Sequence, residues 1–376
     1  MAAVVFWVGL AALGIVYIAF PAIMALISRQ PVDPPAQPAC PTATIVIAAR
    51  NEADAIASKI RSCLAQEYPA ERLDIVLVSD ESTDDTGHLA VEAGRSRLTL
   101  IELSDHGGKA LALNAGVQAA TGELVVLTDA RQQLDPKAVR RLAAHFEDPG
   151  VGAVSGDLRY DRLKEQGMQR ALHRYWNYEK RIRMGESKIH SCVGATGALY
   201  AIRRRLWRIL PPGLILDDVF TPMQIVLRGY QVRFEPSAWA TDVASTSDSR
   251  EYRRRVRTLT GNYQLLFELP SLLNPMANPI WLQFVLHKLG RLVTPVFLAM
   301  VLIGSIFASG PVYLAALIAQ LGFWGFAAMI AISGAHLRLT RTLSLPYTFA
   351  VIQGAALRAF VHCLRRDWNV WETRSG

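Results

Sequence analysis

The sequence lacks several features that define common protein classes. Its four cysteines are far apart in 376 residues and form no CxxC pair, which argues against a disulfide framework and a cysteine-based zinc site. No GxGxxG pattern follows the first predicted strand, which disfavours a dinucleotide-dependent oxidoreductase. Charged residues make up 19% of the chain and hydrophobic residues 51%, against a soluble average of roughly 25% charged. A purely soluble protein is therefore disfavoured, and a reduced, cytosol-facing domain joined to membrane segments fits better.

Charge is absent from the first 28 residues, and the first charged side chain is Arg29. Such a stretch can cross a bilayer, which takes about 20 apolar residues. A cleaved signal peptide would begin with a basic region, and none is present. We therefore predict a retained transmembrane anchor over residues 1–28 and a stiff, proline-rich linker over residues 29–41.

A second uncharged stretch covers the 46 residues 292–337. One helix of that length would overshoot the membrane, and the Ser-Gly-Pro sequence at residues 309–311 interrupts it. We predict a transmembrane hairpin over residues 291–337. The segment 345–376 contains a third apolar run, interrupted by Arg358, and is predicted to form an interfacial or membrane helix with a C-terminal tail.

The net charge of +8 is concentrated near these apolar segments. Residues 248–376 hold 13 basic and 5 acidic residues, so the rest of the chain is neutral. Nucleic-acid binding is the rival explanation of a basic chain, but the excess flanks apolar spans. By the positive-inside rule the basic side is cytoplasmic. We predict a multi-pass protein of a bacterial-type inner membrane, with interfacial helices at 248–290 and the catalytic domain in the cytoplasm.

Residues 42–247 alternate between strand and helix patterns. Apolar strand runs occur at 44–49, 73–80, 98–103, 124–128 and 151–155, with helical spacing between them. This order predicts an α/β fold with a doubly wound, mostly parallel sheet. Ligands in such sheets bind beyond the carboxyl ends of the strands. Asp80 and Asp129 end two predicted strands, where an acid either caps the following helix or contacts a nucleotide and a metal ion.

Three segments in this region resemble motifs of the family 2 glycosyltransferases, including the membrane-embedded branch of cellulose and hyaluronan synthases. Residues 47–52 (IAARNE) resemble the opening strand and NE turn. Residues 79–86 (SDESTDDT) resemble the nucleotide-binding DDGSTDDT motif, and residues 107–116 (GGKALALNAG) resemble GKxxALNxG. The resemblance covers about residues 42–265 and implies a GT-A fold, with an N-terminal transmembrane helix and a C-terminal membrane helical region added in this chain.

The resemblance also implies roles for individual residues. Asp218, in Leu-Asp-Asp, takes the position of the catalytic base in the family's TED motif, and direct displacement at a sugar carbon does need a carboxylate to accept the acceptor's proton. The donor-binding residues are expected to be Ala49, Asn51, Glu52, Asp80, Lys109, Asp129, Arg254 and Arg257. The acceptor side is expected to include Gly194, Thr196 and Asp217. The alternatives remain a helix cap at Asp217 and Asp218, and contact with anionic lipid for the arginines.

Two departures from the family pattern bear on the cofactor and the product. The metal motif DxD reads Asp129-Ala130-Arg131, so a divalent metal, Mn or Mg, is expected at Asp129 with three options open. Asp129 holds the metal with diphosphate and water, Arg131 points elsewhere, or Arg131 partly replaces the cation. The tryptophan of QxxRW is Thr258, which favours single transfer over long-chain polymerisation.

The sequence therefore predicts a membrane-bound inverting hexosyltransferase. It would move a sugar from a nucleotide donor, with UDP expected, to a lipid or saccharide acceptor. The alternative is a processive exopolysaccharide synthase that extrudes a β-linked polymer. A third hypothesis, which is not an enzyme, is a membrane scaffold with a degenerate domain. The expected partners are the donor, a lipid or glycan acceptor and the bilayer, with no nucleic acid. An oligomer or an accessory protein is left open.

Overall fold

A computed structural model describes residues 1–28, 40–160, 168–242, 248–333 and 344–370. Most of the predicted linker, residues 29–39, lies outside these ranges. So do residues 243–247 at the predicted boundary of the catalytic domain, the last residues of the predicted hairpin, and tail residues 371–376.

Within the described ranges, eight strands form one mixed sheet. The strands are β1 (Ala43–Ala49), β2 (Leu73–Asp80), β3 (Leu98–Leu103), β4 (Leu124–Asp129), β5 (Gln133–Leu134), β6 (Val151–Tyr160), β7 (Tyr200–Arg203) and β8 (Gln231–Asp242). Their order is β3-β2-β1-β4-β7-β6-β8-β5. The first four strands are parallel, β7 is antiparallel to both of its neighbours, and β5 is antiparallel to β8. The predicted doubly wound α/β fold is confirmed, with a sheet that is more mixed than expected.

Helices cover both faces of the sheet and extend beyond it. They are α1 (Ala2–Ile27), α2 (Ala53–Leu64), α3 (Thr86–Gly94), α4 (Gly108–Ala119), α5 (Ala138–Ala144), α6 (Met168–Ile189), α7 (Asp217–Leu227), α8 (Asp248–Glu268), α9 (Trp281–Leu292), α10 (Thr294–Phe307), α11 (Pro311–Ser333) and α12 (Ser344–Arg365). The sequence pattern predicts a helix over residues 83–93, and α3 begins three residues later, at Thr86. Asp84 accepts hydrogen bonds from the amides of Ala53 (3.1 Å) and Thr86 (3.1 Å), and this turn delays the helix.

Two apolar clusters lie on opposite faces of the sheet. Along β1, Ile45 and Ile47 face α2, while Val46 faces α4, and all three are fully buried. Because both faces are covered, β1 reads as a continuous apolar run instead of an alternating one. This arrangement leaves the carboxyl edge of β1, β2 and β4 open for polar side chains.

Three described helices are long and apolar enough to cross a membrane: Ala2–Ile27, Pro311–Ile332 and Pro346–Arg365. A fourth candidate is the pair α9 and α10, which bends by 65° at Val293. Between α10 and α11, Gly310 adopts φ +133°, a conformation that glycine reaches readily. The chain therefore breaks at the predicted Ser-Gly-Pro site.

The membrane-side helices pack directly against the catalytic core. Leu265 of α8 and Phe284 of α9 are both 1% exposed and belong to the same apolar cluster as Val46. On the other side, Gly185 of α6 lies against the backbone of Met24 in α1, and the Lys188 ammonium donates to the Ser28 carbonyl at 2.7 Å. These contacts join the sheet, α6 and the membrane helices in one packed unit.

Candidate active site

The carboxyl edge of the sheet gathers most of the polar residues singled out from the sequence. Asp80 ends β2, Asp129 ends β4 and Lys109 lies in the first turn of α4. Asp217 and Asp218 begin α7, which packs beside the same edge. Because parallel strands place their carboxyl ends at one edge, residues far apart in sequence meet there.

A lysine and two carboxylates form the centre of the site. The Lys109 ammonium lies 2.9 Å from Asp129 Oδ1 and 3.0 Å from Asp217 Oδ1. Burial lowers the pKa of Lys109, but Asp129, Asp217 and Asp218 outweigh burial and raise it above its usual value. Burial, together with Asp218 and Asp129, raises the pKa of Asp217 despite the opposing charge of Lys109. Lys109 therefore stays protonated and holds a local positive charge among acids.

The two adjacent acids of α7 have different surroundings. Asp217 is 5% exposed and accepts a hydrogen bond from Tyr200 at 3.4 Å, in addition to its ion pair with Lys109. Asp218 is half-buried, and its Oδ2 accepts the Gly197 amide at 2.9 Å. The Asp218 carbonyl accepts the Ala195 amide at 2.7 Å. The structure thus binds Asp217 internally and leaves the Asp218 carboxylate partly accessible.

The predicted acceptor-side loop leads into this contact. Gly194 adopts φ +90°, where a side chain would be strained. The Thr196 amide donates to Ser155 Oγ at 3.1 Å. The loop therefore turns back towards α7 and aims the Gly197 amide at Asp218.

Asp80 organises the segment before Lys109. Its carboxylate accepts the amides of Gly107 at 2.8 Å and Gly108 at 3.0 Å, and lies 2.8 Å from His106 Nδ1. Asp80 is 3% exposed. The carboxylate therefore fixes the start of α4, and its oxygens face this segment.

The predicted NE turn follows Ala49, the buried last residue of β1. The Asn51 carboxamide oxygen accepts the Thr83 amide at 2.8 Å, and the Glu52 amide donates to Thr86 Oγ1 at 2.8 Å. These bonds join the NE turn to the loop after β2. The nucleotide-motif segments of the sequence are therefore neighbours in the structure.

Helix α8 brings arginines towards the same cleft. Burial and Arg254 lower the pKa of Arg257, while Asp129 and Asp218 oppose this effect. Arg254 is exposed and Arg257 is half-buried. Thr258, in the place of the family's tryptophan, donates its hydroxyl to the Arg254 carbonyl at 2.9 Å. The arginines supply positive charge at the cleft, and Thr258 presents no aromatic surface.

Asp129 is the carboxylate at which the sequence predicts a metal ion. Within the described ranges, no group of three His, Cys, Asp or Glu residues could hold a metal ion. The Asp129 side chain is 38% exposed and pairs with Lys109, whereas Arg131 Nε lies 2.7 Å from Glu52 Oε2. Mg²⁺ commonly takes one or two protein carboxylates and completes its shell with substrate phosphates and water. Asp129 fits such a shared site, and Arg131 points to Glu52.

Sequence reasoning did not assign roles to two residues that support the site. Tyr200 donates a hydrogen bond to Asp217. Lys59 is fully buried and donates to Thr128 Oγ1 and the Gln132 carbonyl, both at 2.7 Å, which holds the turn around Asp129. Lys59 lies on a predicted amphipathic helix, where a lysine is expected on the solvent-exposed face. Its burial could therefore not be predicted from the neighbouring sequence.

Comparison with known proteins shows which sequences and structures this chain resembles. Residues 44–209 match the model of glycosyl transferase family 2. Poly-beta-1,6-N-acetyl-D-glucosamine synthase of Staphylococcus aureus (strain MSSA476) is 25% identical over 230 residues, which are 59% of this chain and 55% of the relative. The Staphylococcus epidermidis protein of the same name is 23% identical over 228 residues, with the same shares of the two chains. The chain thus spans about half the length of these relatives.

A solved structure shares the fold over nearly the whole chain. It is a mannosyltransferase from Pyrobaculum calidifontis in complex with GDP-mannose and Mn²⁺, at a TM-score of 0.71 and 23% sequence identity. The match covers 98% of this chain and 100% of the other. The similarity therefore includes the membrane-side helices as well as the sheet.

Proposed function

We propose that the chain, whose residues 44–209 match the model of glycosyl transferase family 2, is a membrane-bound inverting hexosyltransferase. It moves a sugar from a nucleotide donor to a lipid or saccharide acceptor. One observation carries the proposal. Asp218 is a partly accessible carboxylate held by the Gly197 amide near the Lys109 ammonium.

The mechanism is a direct displacement with Asp218 as general base. Asp218 accepts the proton of the acceptor hydroxyl while that oxygen forms a bond to the anomeric carbon. The bond from this carbon to the diphosphate breaks, and the nucleoside diphosphate leaves with the bonding electrons. Attack opposite the leaving group inverts the configuration, so an α-linked donor gives a β-linked product.

Positive charges of the protein offset the charge of the leaving diphosphate. Lys109 lies among three carboxylates, and Arg257 lies near the same three. Arginine suits this role because its planar fork matches phosphate oxygens. Asp129 would hold a divalent metal, Mn or Mg, together with donor oxygens, and the bound metal would add further charge neutralisation. The Mn²⁺ in the structural neighbour supports this proposal.

The relatives guide the choice of donor and product. Their activity in making a poly-β-1,6-N-acetylglucosamine makes UDP-N-acetylglucosamine the first donor to test, with GDP-mannose second. The same relatives favour the alternative product, an exopolysaccharide. Thr258 favours single transfer because stacking of an acceptor sugar on an aromatic ring is absent at this position. The size of the product decides between the two.

Location follows from the helices and the charge. The chain is a membrane protein with three described candidate spans, or four if the bent pair counts as one span. We propose that the catalytic domain faces the cytoplasm of an inner membrane, because the basic excess flanks the C-terminal membrane segments.

Asp218→Asn tests the mechanism in purified protein reconstituted in nanodiscs. Nucleotide release from UDP-N-acetylglucosamine and GDP-mannose is measured with lipid extract, in Mn²⁺, Mg²⁺ and EDTA. The variant should lose at least about 10²-fold in turnover, the lower range for a positioned base, while donor affinity stays within about twofold. Asp74→Asn is the control, because Asp74 bonds Thr121 at the start of β2, far along the strand from the site. Unchanged turnover in Asp218→Asn would reject Asp218 as the base.

Sizing the product separates the two acceptor classes. A small, lipid-soluble product indicates single transfer to a lipid, and a large polar product indicates a polymerase. Release that survives EDTA would show that the protein's cations suffice and would reject the metal proposal. No release above background with either donor would favour a scaffold.

A further inference from the structure

Glu186 is a fully buried carboxylate outside the cleft that contacts two different elements. Its Oε1 lies 2.7 Å from His287 Nδ1, on membrane-side helix α9, and His287 is itself 4% exposed. Its Oε2 accepts the amide of Val193 at 3.2 Å. Val193 follows α6 and begins the loop that reaches the active site. One side chain therefore connects a membrane-side helix with that loop.

Helix α9 holds the same segment at a second point. Gln283, one turn before His287, donates to the carbonyls of Glu186 at 3.3 Å and Ser191 at 3.4 Å. Residues four apart lie on the same face of a helix. The two side chains of α9 therefore contact α6 and the start of the loop together.

The loop held by these contacts also binds Asp218, the proposed base. From Val193 the chain turns at Gly194, and the amides of Ala195 and Gly197 then bind the carbonyl (2.7 Å) and carboxylate (2.9 Å) of Asp218. Only three residues separate the amide held by Glu186 from the amide held by Asp218. A shift of Val193 would therefore move the donor that orients the base.

We propose that Glu186 is a positioning residue: it fixes residues 193–197 against α9, and so places the Asp218 carboxylate for proton transfer. The inference rests on the proposed function of Asp218. It makes transfer depend on the docking of α9, the first half of the bent pair, whereas Asp80 and Asp129, at the ends of β2 and β4, are held by residues 107–109.

Glu179 provides a matched control in the same network. Its Oε2 lies 2.9 Å from the other ring nitrogen of His287, and it also pairs with Arg291. Its described contacts do not include the loop. Substitution of Glu179 therefore disturbs the same histidine and the same buried charge, without removing the bond to Val193.

The experiment compares Glu186→Ala, Glu186→Gln, Gln283→Leu and Glu179→Ala in nanodiscs, with kcat, donor KM, donor affinity and Tm measured for each. Glu186→Ala should lower kcat about 10²-fold, the loss expected for a misplacement near 1 Å, with donor KM and affinity within about twofold. Glu186→Gln should restore most of kcat, because its carbonyl oxygen still accepts the Val193 amide. Gln283→Leu should lower kcat less than Glu186→Ala does. Because this substitution removes no buried charge, it still tests the proposal if Glu186→Ala fails to fold.

Glu179→Ala should lower Tm with a much smaller change in kcat. Equal losses of kcat in Glu179→Ala and Glu186→Ala, or a parallel loss of donor affinity, would reduce Glu186 to a structural role and overturn the proposal. Unchanged kcat in folded Glu186→Ala and in Gln283→Leu would also overturn it. If Asp218→Asn is inactive while these variants are active, this inference alone fails. If Asp218→Asn keeps its turnover, the proposed role of Asp218 as the base fails.

Discussion

Lys109 occupies an unusual electrostatic position at the residue scale. Its ammonium is within 3.0 Å of two carboxylates, and Asp218 adds a third negative charge nearby. Its charge has two consequences, since it stabilises buried Asp217 and leaves a cation at the cleft. A diphosphate entering the cleft would meet this cation together with Arg257. The lysine therefore links the stability of the site to donor binding.

Lys109→Met should weaken donor binding about tenfold or more, equivalent to about 1.4 kcal/mol, because three carboxylates would then face the diphosphate with less compensation. Isothermal titration with the donor and with the nucleoside diphosphate measures this change. Lys137→Met is the control, since Lys137 is 55% exposed and 3.9 Å from Glu67. Unaltered affinity in Lys109→Met would show that the lysine serves the fold alone.

Local patterns predicted which residues meet, and long-range packing decided how each one is used. Asp80 and Asp129 were identified because each directly follows an apolar strand, and parallel strands end at one edge. No local sequence pattern predicted the hydrogen bonds between Asp80 and residues 106–108, or the burial of Lys59. The same holds for Glu186, whose partner His287 lies 101 residues away in sequence.

At the element scale, α6 is the helix on which the membrane and catalytic parts meet. It contacts α1 through Gly185 and Lys188, α9 through Glu179 and Glu186, and β8 through Ser187, whose hydroxyl accepts the Phe234 amide at 2.9 Å. The sequence predicted strands β1 to β4 and β6, but it did not predict β5, β7 or β8. Strand β7 has only four residues, and β8 contains Pro236, so both lack a clear local signal.

Gly185→Ala should destabilise the docking of α1 on α6. An added Cβ would clash with the Met24 carbonyl oxygen, and overpacking of this kind typically costs about 1–3 kcal/mol. Gly322→Ala in α11 is the control, because nothing lies within 4 Å of an added Cβ there. Both changes gain about 1 kcal/mol of helix propensity. Thermal unfolding in one detergent should show a lower Tm for Gly185→Ala only, and equal Tm values would contradict the close contact.

At the scale of the whole molecule, the junction between the catalytic and membrane parts is charged and buried. Burial raises the pKa of Glu179, but Arg291 and His287 outweigh burial and hold it well below its usual range. A carboxylate with a lowered folded pKa stabilises the protein above its unfolded pKa, about 4.3. This stabilisation is lost as the pH falls through the folded value. The junction should therefore weaken in acid.

Glu179→Gln should lower Tm at pH 7, and the gap between it and the unaltered protein should shrink as the pH falls below about 4.3. Melting curves between pH 3 and 7 measure the gap. Glu67→Gln is the control, because Glu67 is 50% exposed and forms a long ion pair, so its effect should be small at each pH. A constant gap for Glu179→Gln would show that its ionisation does not stabilise the junction.

The contact between α1 and α10 has a consequence for synthesis. Gly9 lies against the backbone of Phe297, and Gly304 lies against Phe6, so each helix supplies a glycine where the other approaches. Roughly 300 residues separate the two glycines, which the ribosome translates at about 5–20 residues per second. Helix α1 therefore waits on the order of 15–60 s in the bilayer before its partner emerges. Gln283 and His287 are also made late, so the sheet of the nascent catalytic domain can fold well before these two residues contact α6 and the loop after it.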